Sequence, residues 1–234
     1  RNDIDSTQNR NKQPNADDWD FNQGGMRMDY DAGDADKLSL EASFAGGTEH
    51  TNPGPSSFDE QSAVGQWQHT FSERSDMQVQ AYYNRTWRRD KPGTINDQMQ
   101  TYDVDLQHHF QLGKANNLVW GLGYRLMRDN SQNTTTFVGF LPAIRTLELY
   151  SAFAQDEIQL VPDKFKLTLG TKLLHNIYTG FEWQPSARLT WLPGDQQTVW
   201  ASVSRAVRTP SRIDVDYHIP TYPVPPTTQN VGGG

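Results

Sequence analysis

The stretch YDVDLQHHFQLGKANNLVWGLGYR, residues 102–125, decides how this chain folds. Its mainly apolar side chains stand at every second position on both sides of the short turn LGKAN. Because successive side chains of a β-strand point to opposite faces, this alternation predicts two strands that share one apolar face. Two such strands around a tight turn predict a β-hairpin. The alternating set is Tyr102, Val104, Leu106, His108, Phe110, Leu118, Trp120, Leu122 and Tyr124.

Four further segments repeat this pattern of two alternating runs around a short polar turn. Their turns lie near residues 31–36, 72–76, 161–164 and 192–197. The sequence therefore predicts an all-β fold of about ten antiparallel strands in five hairpins. One predicted strand shows no clear alternation of apolar and polar residues, namely LYSAFAQDEIQL, residues 149–160. Which of its side chains lie on the apolar face is therefore left open.

The composition is unusual for a soluble domain of 234 residues. Only 35% of the residues are hydrophobic and the mean hydropathy is -0.79, which leaves little apolar material for a packed core. The chain has no cysteine, which excludes a disulfide scaffold and a thiolate metal site. A net charge of -7 argues against a nucleic-acid partner bound through its phosphates.

The predicted connections differ in length on the two sides of the sheet. Turns inside the hairpins are short, whereas the links between hairpins are predicted to be long and rich in Gly, Pro, Asn and Thr. Bacterial outer-membrane barrels combine short periplasmic turns, long extracellular loops and alternating strands of about 10 residues around a polar lumen. The pattern therefore predicts transmembrane β-barrel strands in a lipid bilayer. The long links are residues 51–61, 88–98, 128–146 and the tail from Ile219.

Two tryptophans of the fifth hairpin support a membrane location. Trp183 and Trp191 are eight residues apart on the same predicted face. At ~3.3 Å per residue they are separated by about 26 Å, close to the ~25 Å apolar band between the aromatic girdles of outer-membrane barrels.

The last third of the chain carries a specific ordered set of motifs. Residues 151–212 contain a QDE strand, an L-x-L-G strand, a PS-x-R-L-x-W strand and a final S-R-A-x-R-x-P-S. In this order they resemble the barrel of TonB-dependent outer-membrane receptors, and residues 24–47 and 102–125 are similar to mid-barrel hairpins of that family. The resemblance implies a plugged barrel of 22 strands, of which residues 1–234 hold a little under half. The plug, the TonB-contacting segment and the closing strands are expected to be absent.

The same resemblance implies a function. Receptors of this family import a scarce nutrient, most often a ferric siderophore, across the outer membrane of Gram-negative bacteria. TonB supplies the energy by pulling on the plug. The present chain is expected to supply barrel wall and extracellular loops, with no enzymatic activity. No nucleophile motif, phosphate-binding glycine loop or cofactor fingerprint is present, and no catalytic, cofactor or metal residue is predicted.

Arg205 and Arg208 are the candidate ligand residues. They follow an alternating strand at its predicted outer end, where lipid no longer forbids charge. One interpretation places them in the vestibule where an anionic metal chelate enters. The other interpretation is that they pair with acidic loop residues or with the plug, and only maintain the shape of the loop.

Three other sets of polar residues have plain explanations. Asp103 and Asp105 share one face about 7 Å apart, which suits paired-carboxylate chemistry but more commonly means a polar lumen lining. His108 and His109 are adjacent on a strand and must point to opposite faces, so they cannot chelate one metal together. Asp216 with His218 would give only two metal ligands, which is weak evidence for a site.

Two other classes of protein remain possible from the pattern alone. A ten-strand outer-membrane barrel enzyme would need carboxylates and a histidine at its extracellular rim, where this sequence has arginine and proline. A soluble β-sandwich binding module would bury the apolar faces of two sheets against each other.

Overall fold

A computed structural model describes residues 2–8, 10–15, 17–50, 54–90, 96–132, 139–194 and 196–218. Eleven strands form one antiparallel sheet in the order β1-β2-β3-β4-β5-β6-β7-β9-β10-β11-β12, and β8 pairs with β13 beside it. The elements are β1 (Asn2–Ile4), β2 (Trp19–Asp31), β3 (Asp36–Glu49), β4 (Ser56–Ser72), β5 (Ser75–Asp90), β6 (Asn96–Leu112), β7 (Asn116–Ser131), β8 (Gly139–Phe140), β9 (Ile144–Val161), β10 (Phe165–Asn176), β11 (Gly180–Gly194), β12 (Gln197–Ser204), α1 (Arg212–Val215) and β13 (Tyr217–His218).

The five predicted hairpins are all present. They are β2–β3, β4–β5, β6–β7, β9–β10 and β11–β12, and their ten strands follow one another in the sheet. The short strand β1, the β8–β13 pair and α1 were not predicted, because they are too short to show a hydrophobic period. Within the described residues β12 pairs only with β11, so the sheet is open and does not close into a ten-strand barrel.

The register puts the alternating apolar residues of neighbouring strands opposite one another. Leu106 of β6 lies opposite Leu122 of β7, and the polar Asp103 lies opposite Arg125. We name these two sides of the sheet the apolar face and the polar face. As predicted, the two histidines separate: His108 contacts the Trp120 ring on the apolar face, and His109 contacts Asp76 on the polar face.

The strand without a decisive phase, β9, obtains its orientation from its neighbours. Ala152 lies opposite Leu122 and Leu173, on the apolar face, so Phe153 points to the polar face. There the Phe153 ring lies over Gly121, where an added Cβ would be 2.4 Å from the ring. A missing side chain on one strand thus makes room for a large one on the next. Because the apolar Phe153 lies on the polar face, the sequence of β9 shows no clear alternation of polar and apolar residues.

The two edges of the sheet differ, although not quite as predicted. One edge, the turn edge, carries the five short hairpin turns, and the other is named the loop edge. At the loop edge β4 begins at Ser56, β5 ends at Asp90 and β6 begins at Asn96, so much of the two predicted loops 51–61 and 88–98 is strand. The prediction of long loops there was wrong.

The link between β10 and β11 is also short, since only Ile177–Thr179 separate the two strands. The longest described connection is that between β7 and β9, which includes β8. Several strands have 16 to 18 residues, more than the ~10 needed to cross a bilayer. The loop-edge ends of β4 and β5 are mostly polar, which explains why alternation did not reveal them. The tail from Ile219 lies outside the described residues.

The apolar face is not covered by a second layer. Ala143 is the only buried hydrophobic residue among the described residues, while Leu122 is 53% exposed and Trp183 58% exposed. A β-sandwich would bury these side chains between two sheets, so the structure disagrees with that alternative. No helix in the described part of the chain is long and apolar enough to cross a membrane.

Aromatic side chains form two bands on the apolar face. Near the turn edge His69 and His108 are part of a series of neighbouring rings, with centroids 4.5 to 5.8 Å apart. Nearer the loop edge the ring pairs Tyr83–Tyr102 and Tyr124–Tyr150 are 5.1 and 4.9 Å apart. The predicted pair Trp183 and Trp191 lies on this face, opposite Leu173 and Phe165. Two such bands are typical of β-barrels that cross a membrane. The band near the turn edge consists of Trp67, His69, Phe71, His108, Phe110 and Trp120.

Candidate functional site

The segment that follows β12 turns back over the polar face at the loop edge. Its first residue continues the ladder, since the Arg205 N–H donates to the Pro185 carbonyl over 3.0 Å. After α1, the Leu141 N–H donates to the Asp216 carbonyl over 2.9 Å and β13 pairs with β8. Residues 205–218 and 139–143 are thereby joined into one layer at the loop edge, which we name the loop cap.

Arg212 anchors the loop cap and is only 5% exposed. Its Nη1 lies 3.0 Å from an oxygen of Asp129, and its Nε lies 3.1 Å from an oxygen of Asp216. The guanidinium also donates to the Pro142 carbonyl and lies 4.8 Å from the Phe140 ring centroid. A buried guanidinium is tolerated only when it is paired and hydrogen-bonded in this way. Arg212 thus joins β7, β8 and the helix α1.

Asp216 is the second buried member of this network, at 4% exposure. It accepts hydrogen bonds from Arg145, from Arg212 and from the Tyr178 hydroxyl, which is 3.0 Å away. Burial and the hydrogen bond to Asp216 raise the pKa of Tyr178, so this hydroxyl stays a donor. Both Asp216 oxygens are therefore engaged by the protein. No group of three potential metal ligands occurs in the described part of the chain.

Arg208, one of the two predicted ligand residues, pairs with Asp214 of α1. Its Nη2 lies 2.8 and 2.7 Å from the two Asp214 carboxylate oxygens. The Asp214 carboxylate also accepts from the Ser211 N–H and from the Ser211 hydroxyl, at 2.7 and 2.8 Å. The two Ser211 bonds, followed by Arg208, lower the pKa of Asp214 to about 2. The Arg208 side chain is nevertheless 79% exposed.

Arg205, the other predicted ligand residue, lies where β12 leaves the sheet. Its guanidinium donates to the Trp183 carbonyl and lies 3.3 Å from a carboxylate oxygen of Glu182. The side chain is 54% exposed. The structure thus places Arg205 and Arg208 at the loop edge, each paired with a carboxylate and each still open to solvent. Contact with a ligand stays a prediction for both.

A cavity of about 710 Å³ lies between the loop cap and the polar face. Although this face is polar elsewhere, the cavity wall is largely apolar. The charged Arg125 and Asp129 also line it. Such a combination of an apolar wall and a few placed polar groups is typical of ligand sites. The main apolar contributors are Met99, Met127, Phe140, Leu147, Leu149 and Ile177.

Sequence reasoning missed this apolar wall. Leu147 and Leu149 point to the polar face, where they lie opposite Met127 and Arg125. A signal was present in the sequence, because Leu126 and Met127 are adjacent apolar residues on one strand and therefore break the alternation. Two apolar neighbours in a strand mean that both faces are locally apolar. Arg212 gave no such signal, because its burial depends on contacts with residues some 70 positions away.

The paired carboxylates of β6 lie deeper on the polar face. Asp103 is buried and accepts from Arg125 Nε over 2.6 Å. Asp105 lies on the same face, opposite Gly123. Arg125 therefore neutralises one carboxylate of the pair, which supports the interpretation as lumen lining. As a whole, the arrangement can bind and orient a molecule at the loop edge through apolar contacts and arginine side chains.

The chain belongs to the TonB dependent receptor-like, beta-barrel family, whose model matches residues 1–233. The family consists of receptors and transporters, as the sequence motifs predicted. No curated protein sequence is similar enough to the chain to count as a match.

Solved structures with the same fold include receptors for metal complexes. The siderophore receptor PirA from Pseudomonas aeruginosa matches with a TM-score of 0.67 and 17% identity, over 83% of this chain and 36% of that chain. A variant of the ferric enterobactin receptor PfeA from the same organism matches with a TM-score of 0.69 and 14% identity, over 88% of this chain and 36% of that chain. The copper transporter OprC matches with a TM-score of 0.66 and 13% identity, over 89% of this chain and 41% of that chain.

These similarities establish the fold. At identities of 13% to 17% they do not carry a ligand from one protein to another. The chain spans 36% to 41% of the length of these three structures.

Proposed function

We propose that this chain forms wall and loop-edge surface of an outer-membrane receptor for a ferric siderophore or a similar metal complex. Import is energised by TonB, and the chain has no catalytic role. The observation that carries the proposal is the cavity under the loop cap, with its apolar wall and with Arg88, Arg125 and Arg212 among its lining residues. Family membership, together with the siderophore receptor and the copper transporter among the structural neighbours, supports the same class of ligand.

The two faces of the sheet support insertion into the outer membrane of a Gram-negative bacterium. The exposed apolar face with its two aromatic bands suits the hydrocarbon core and its two interfaces. The polar face then lines the lumen, where Asp103 and Arg125 pair. Because short turns are periplasmic and longer connections extracellular in such barrels, the loop edge is the outer side.

The cavity suits a ligand that is both apolar and anionic. Met127 and Leu149 offer apolar surface, which a flat or aromatic chelator can cover. Elsewhere at the loop edge, outside the cavity lining, Arg205 and Arg208 keep exposed guanidinium groups while pairing with Glu182 and Asp214. Exposed ion pairs are weak, so a ligand carboxylate or catecholate oxygen can replace the protein partner at small cost. Both arginines then take part in capture.

The test measures uptake of radioactive iron by iron-starved cells that express the full-length protein as their only receptor. Ferric complexes with catecholate, hydroxamate and citrate chelators are supplied separately. We expect uptake of at least one complex, and its loss when the proton gradient is collapsed, because TonB draws on that gradient. Uptake that persists without the gradient, or no binding of any metal complex, would contradict the proposal.

A matched pair of variants tests the cavity itself. Met127→Ala removes apolar surface inside the cavity, and Leu126→Ala removes a similar amount on the opposite face of the same strand. We expect the first variant to weaken binding of the transported complex several-fold and the second to leave it unchanged. Equal affinities of the two variants would show that the ligand binds elsewhere.

A further inference from the structure

Three arginines lie on the apolar face near the loop edge. Arg85 and Arg89 belong to β5, in phase with Tyr83, and Arg128 belongs to β7, in phase with Leu126. Gln100 of β6 lies opposite both Arg85 and Arg128. The Cα atoms of these two arginines are therefore two strand spacings apart, about 10 Å. Together with Trp87 these residues form what we name the arginine patch.

The arginines of the patch differ from those on the polar face in their partners. Arg88 and Arg125 point to the polar face and pair with Asp90 and Asp103. Arg85, Arg89 and Arg128 form no ion pair with any described residue, and the Arg85 Nε has no hydrogen-bond partner there. Arg89 and Arg128 are exposed. The patch thus presents three positive charges without a counterion among the described residues.

Trp87 organises the patch. The Arg89 guanidinium lies 3.9 Å from its ring centroid and the Arg85 guanidinium lies 5.5 Å from it. The indole N–H donates to the Asn96 side chain over 3.1 Å, which fixes the ring. Guanidinium groups stacked on an aromatic ring lose less conformational freedom when they bind an anion. The patch is therefore partly ordered before any partner binds.

Along the strands, the patch lies at the height expected for lipid headgroups in a membrane. Arg85 follows Tyr83, whose ring pairs with Tyr102 in the aromatic band near the loop edge. Arginine on the lipid face costs about 2–4 kcal/mol at the bilayer midplane and about 0–1 kcal/mol near the interfaces. Beyond the tyrosine band the hydrocarbon ends, so the three guanidinium groups meet polar headgroups rather than acyl chains.

The acidic residues near the patch leave its charge positive. Asp59 of β4 lies opposite Trp87, and Glu148 of β9 lies opposite Leu126. The Glu148 carboxylate already accepts a hydrogen bond from the Tyr124 hydroxyl over 3.0 Å. Neither carboxylate forms an ion pair with the arginines of the patch among the described residues. An anion with several oxygen acceptors is the complementary partner.

We propose that the arginine patch binds the phosphate groups of a lipid in the outer leaflet of the membrane. The inference rests on the proposed orientation, with the loop edge outward. Arginine binds phosphate through parallel N–H···O bonds that lysine cannot reproduce. Arg85 and Arg128 hold one lipid across strands β5 to β7, and Arg89 on Trp87 holds the phosphate farther from the hydrocarbon. The lipid thereby fixes the protein's depth in the outer leaflet.

The test titrates the full-length protein in detergent with lipid A that carries two phosphates and with its dephosphorylated form. Native mass spectrometry counts the bound lipids. We expect the phosphorylated form to bind at least tenfold more tightly, with an affinity that falls as salt rises. Arg85→Gln combined with Arg128→Gln should remove most of this difference. Arg89→Gln alone should reduce it about threefold.

Arg88→Gln is the matched control, because Arg88 is the neighbour of Arg89 in sequence and points to the other face. It should bind phosphorylated lipid A as the parent does. Heat-modifiable migration on a gel confirms folding of each variant, and a parent without it would refute the proposed membrane function instead. A folded parent that binds both lipid forms equally, or a folded double variant with parental preference, would refute the arginine patch as the phosphate site.

Discussion

The middle of the sheet and the loop cap are held together in different ways. In the middle, strands that are neighbours in sequence pair along their length, and Leu118 to Leu126 alternate regularly between the two faces. In the loop cap, Arg212 joins Asp129 and Asp216 from widely separated parts of the chain. The first region depends on a repeated pattern and the second on a few individual side chains. Single substitutions should therefore have different consequences in the two regions.

The loop cap itself contains two kinds of arginine. Arg212 is buried and satisfied by several partners, whereas Arg208 is largely exposed and pairs with one carboxylate. Removing one partner of a buried ion pair leaves an uncompensated charge, but removing an exposed one costs little. Substitution of the buried arginine should therefore have the larger effect.

The largest effect is expected for Arg212→Met. This substitution retains much of the apolar stem but leaves Asp129 without its arginine and removes one donor from Asp216. A loss of about 3–5 kcal/mol in the stability of the loop cap follows from leaving the largely buried Asp129 carboxylate without its arginine. Hydrogen exchange of residues 205–218 in the full-length protein measures it. Arg208→Met is the control and should change exchange by less than about 1 kcal/mol. Equal protection in both variants would show that Arg212 does not hold the cap.

The next effect concerns the middle of the sheet. Leu122→Arg places a charge on the apolar face, whereas Gln107→Arg places one on the polar face one strand away. In lipid vesicles we expect the first to reduce the free energy of unfolding by about 2–4 kcal/mol and the second to change it little. Equilibrium denaturation with urea gives both values. Equal losses would mean that the two faces do not meet lipid and water as assigned.

A smaller effect is expected for Arg205 and Arg208, replaced together by glutamine. A charged rim accelerates capture of an oppositely charged ligand more than it strengthens the final complex. The association rate of a ferric siderophore should fall about threefold to tenfold at low salt, and the difference should shrink as salt screens the charges. Stopped-flow fluorescence on the full-length protein measures the rate. Parental association combined with poor folding would mean that the two arginines only maintain structure.

The smallest effect is a shift in the titration of Asp214. The carboxylate has a pKa of about 2, below its ordinary value of 3.8, so it stabilises α1 above pH 3.8 and loses this effect as the pH falls through about 2. Arg208→Gln should move this pKa part of the way towards 3.8, because the two Ser211 bonds lower it more. Carbon NMR of labelled aspartate follows the titration. An unchanged pKa in the variant would show that Arg208 does not act on Asp214.

Much of the sheet could be predicted from the sequence because a strand has a period of two. Alternation between Tyr102 and Tyr124 was enough to define a hairpin, its two faces and its turn, and the same reasoning located all ten long strands. Alternation gave no signal where both faces of a strand carry residues of the same kind, either polar or apolar. The polar start of β4 at Ser56 was taken for a loop, and β9 showed no phase because Phe153 fills the space over Gly121.

The candidate site was predictable only in part. The position of Arg205 and Arg208 at the end of an apolar strand indicated the loop edge correctly. Their partners Glu182 and Asp214, and the burial of Arg212, depend on how residues 205–218 turn back over the sheet. No local pattern encodes that turn, since it is stabilised by contacts between distant segments. The same applies to the cavity, whose wall combines β7, β9 and the loop cap.

The sequence by itself thus determined the hairpins, the two faces and the family, since each depends on the order of residues along one or two neighbouring strands. Only the tertiary structure decided which arginines are buried, which are paired and which have no counterion in the part of the chain that the structure describes. Arg88 and Arg89 show the reason: they are identical residues at adjacent positions, and the pleat sends them to opposite faces. Arg88 forms an ion pair with Asp90, and Arg89 stacks on the Trp87 ring on the apolar face.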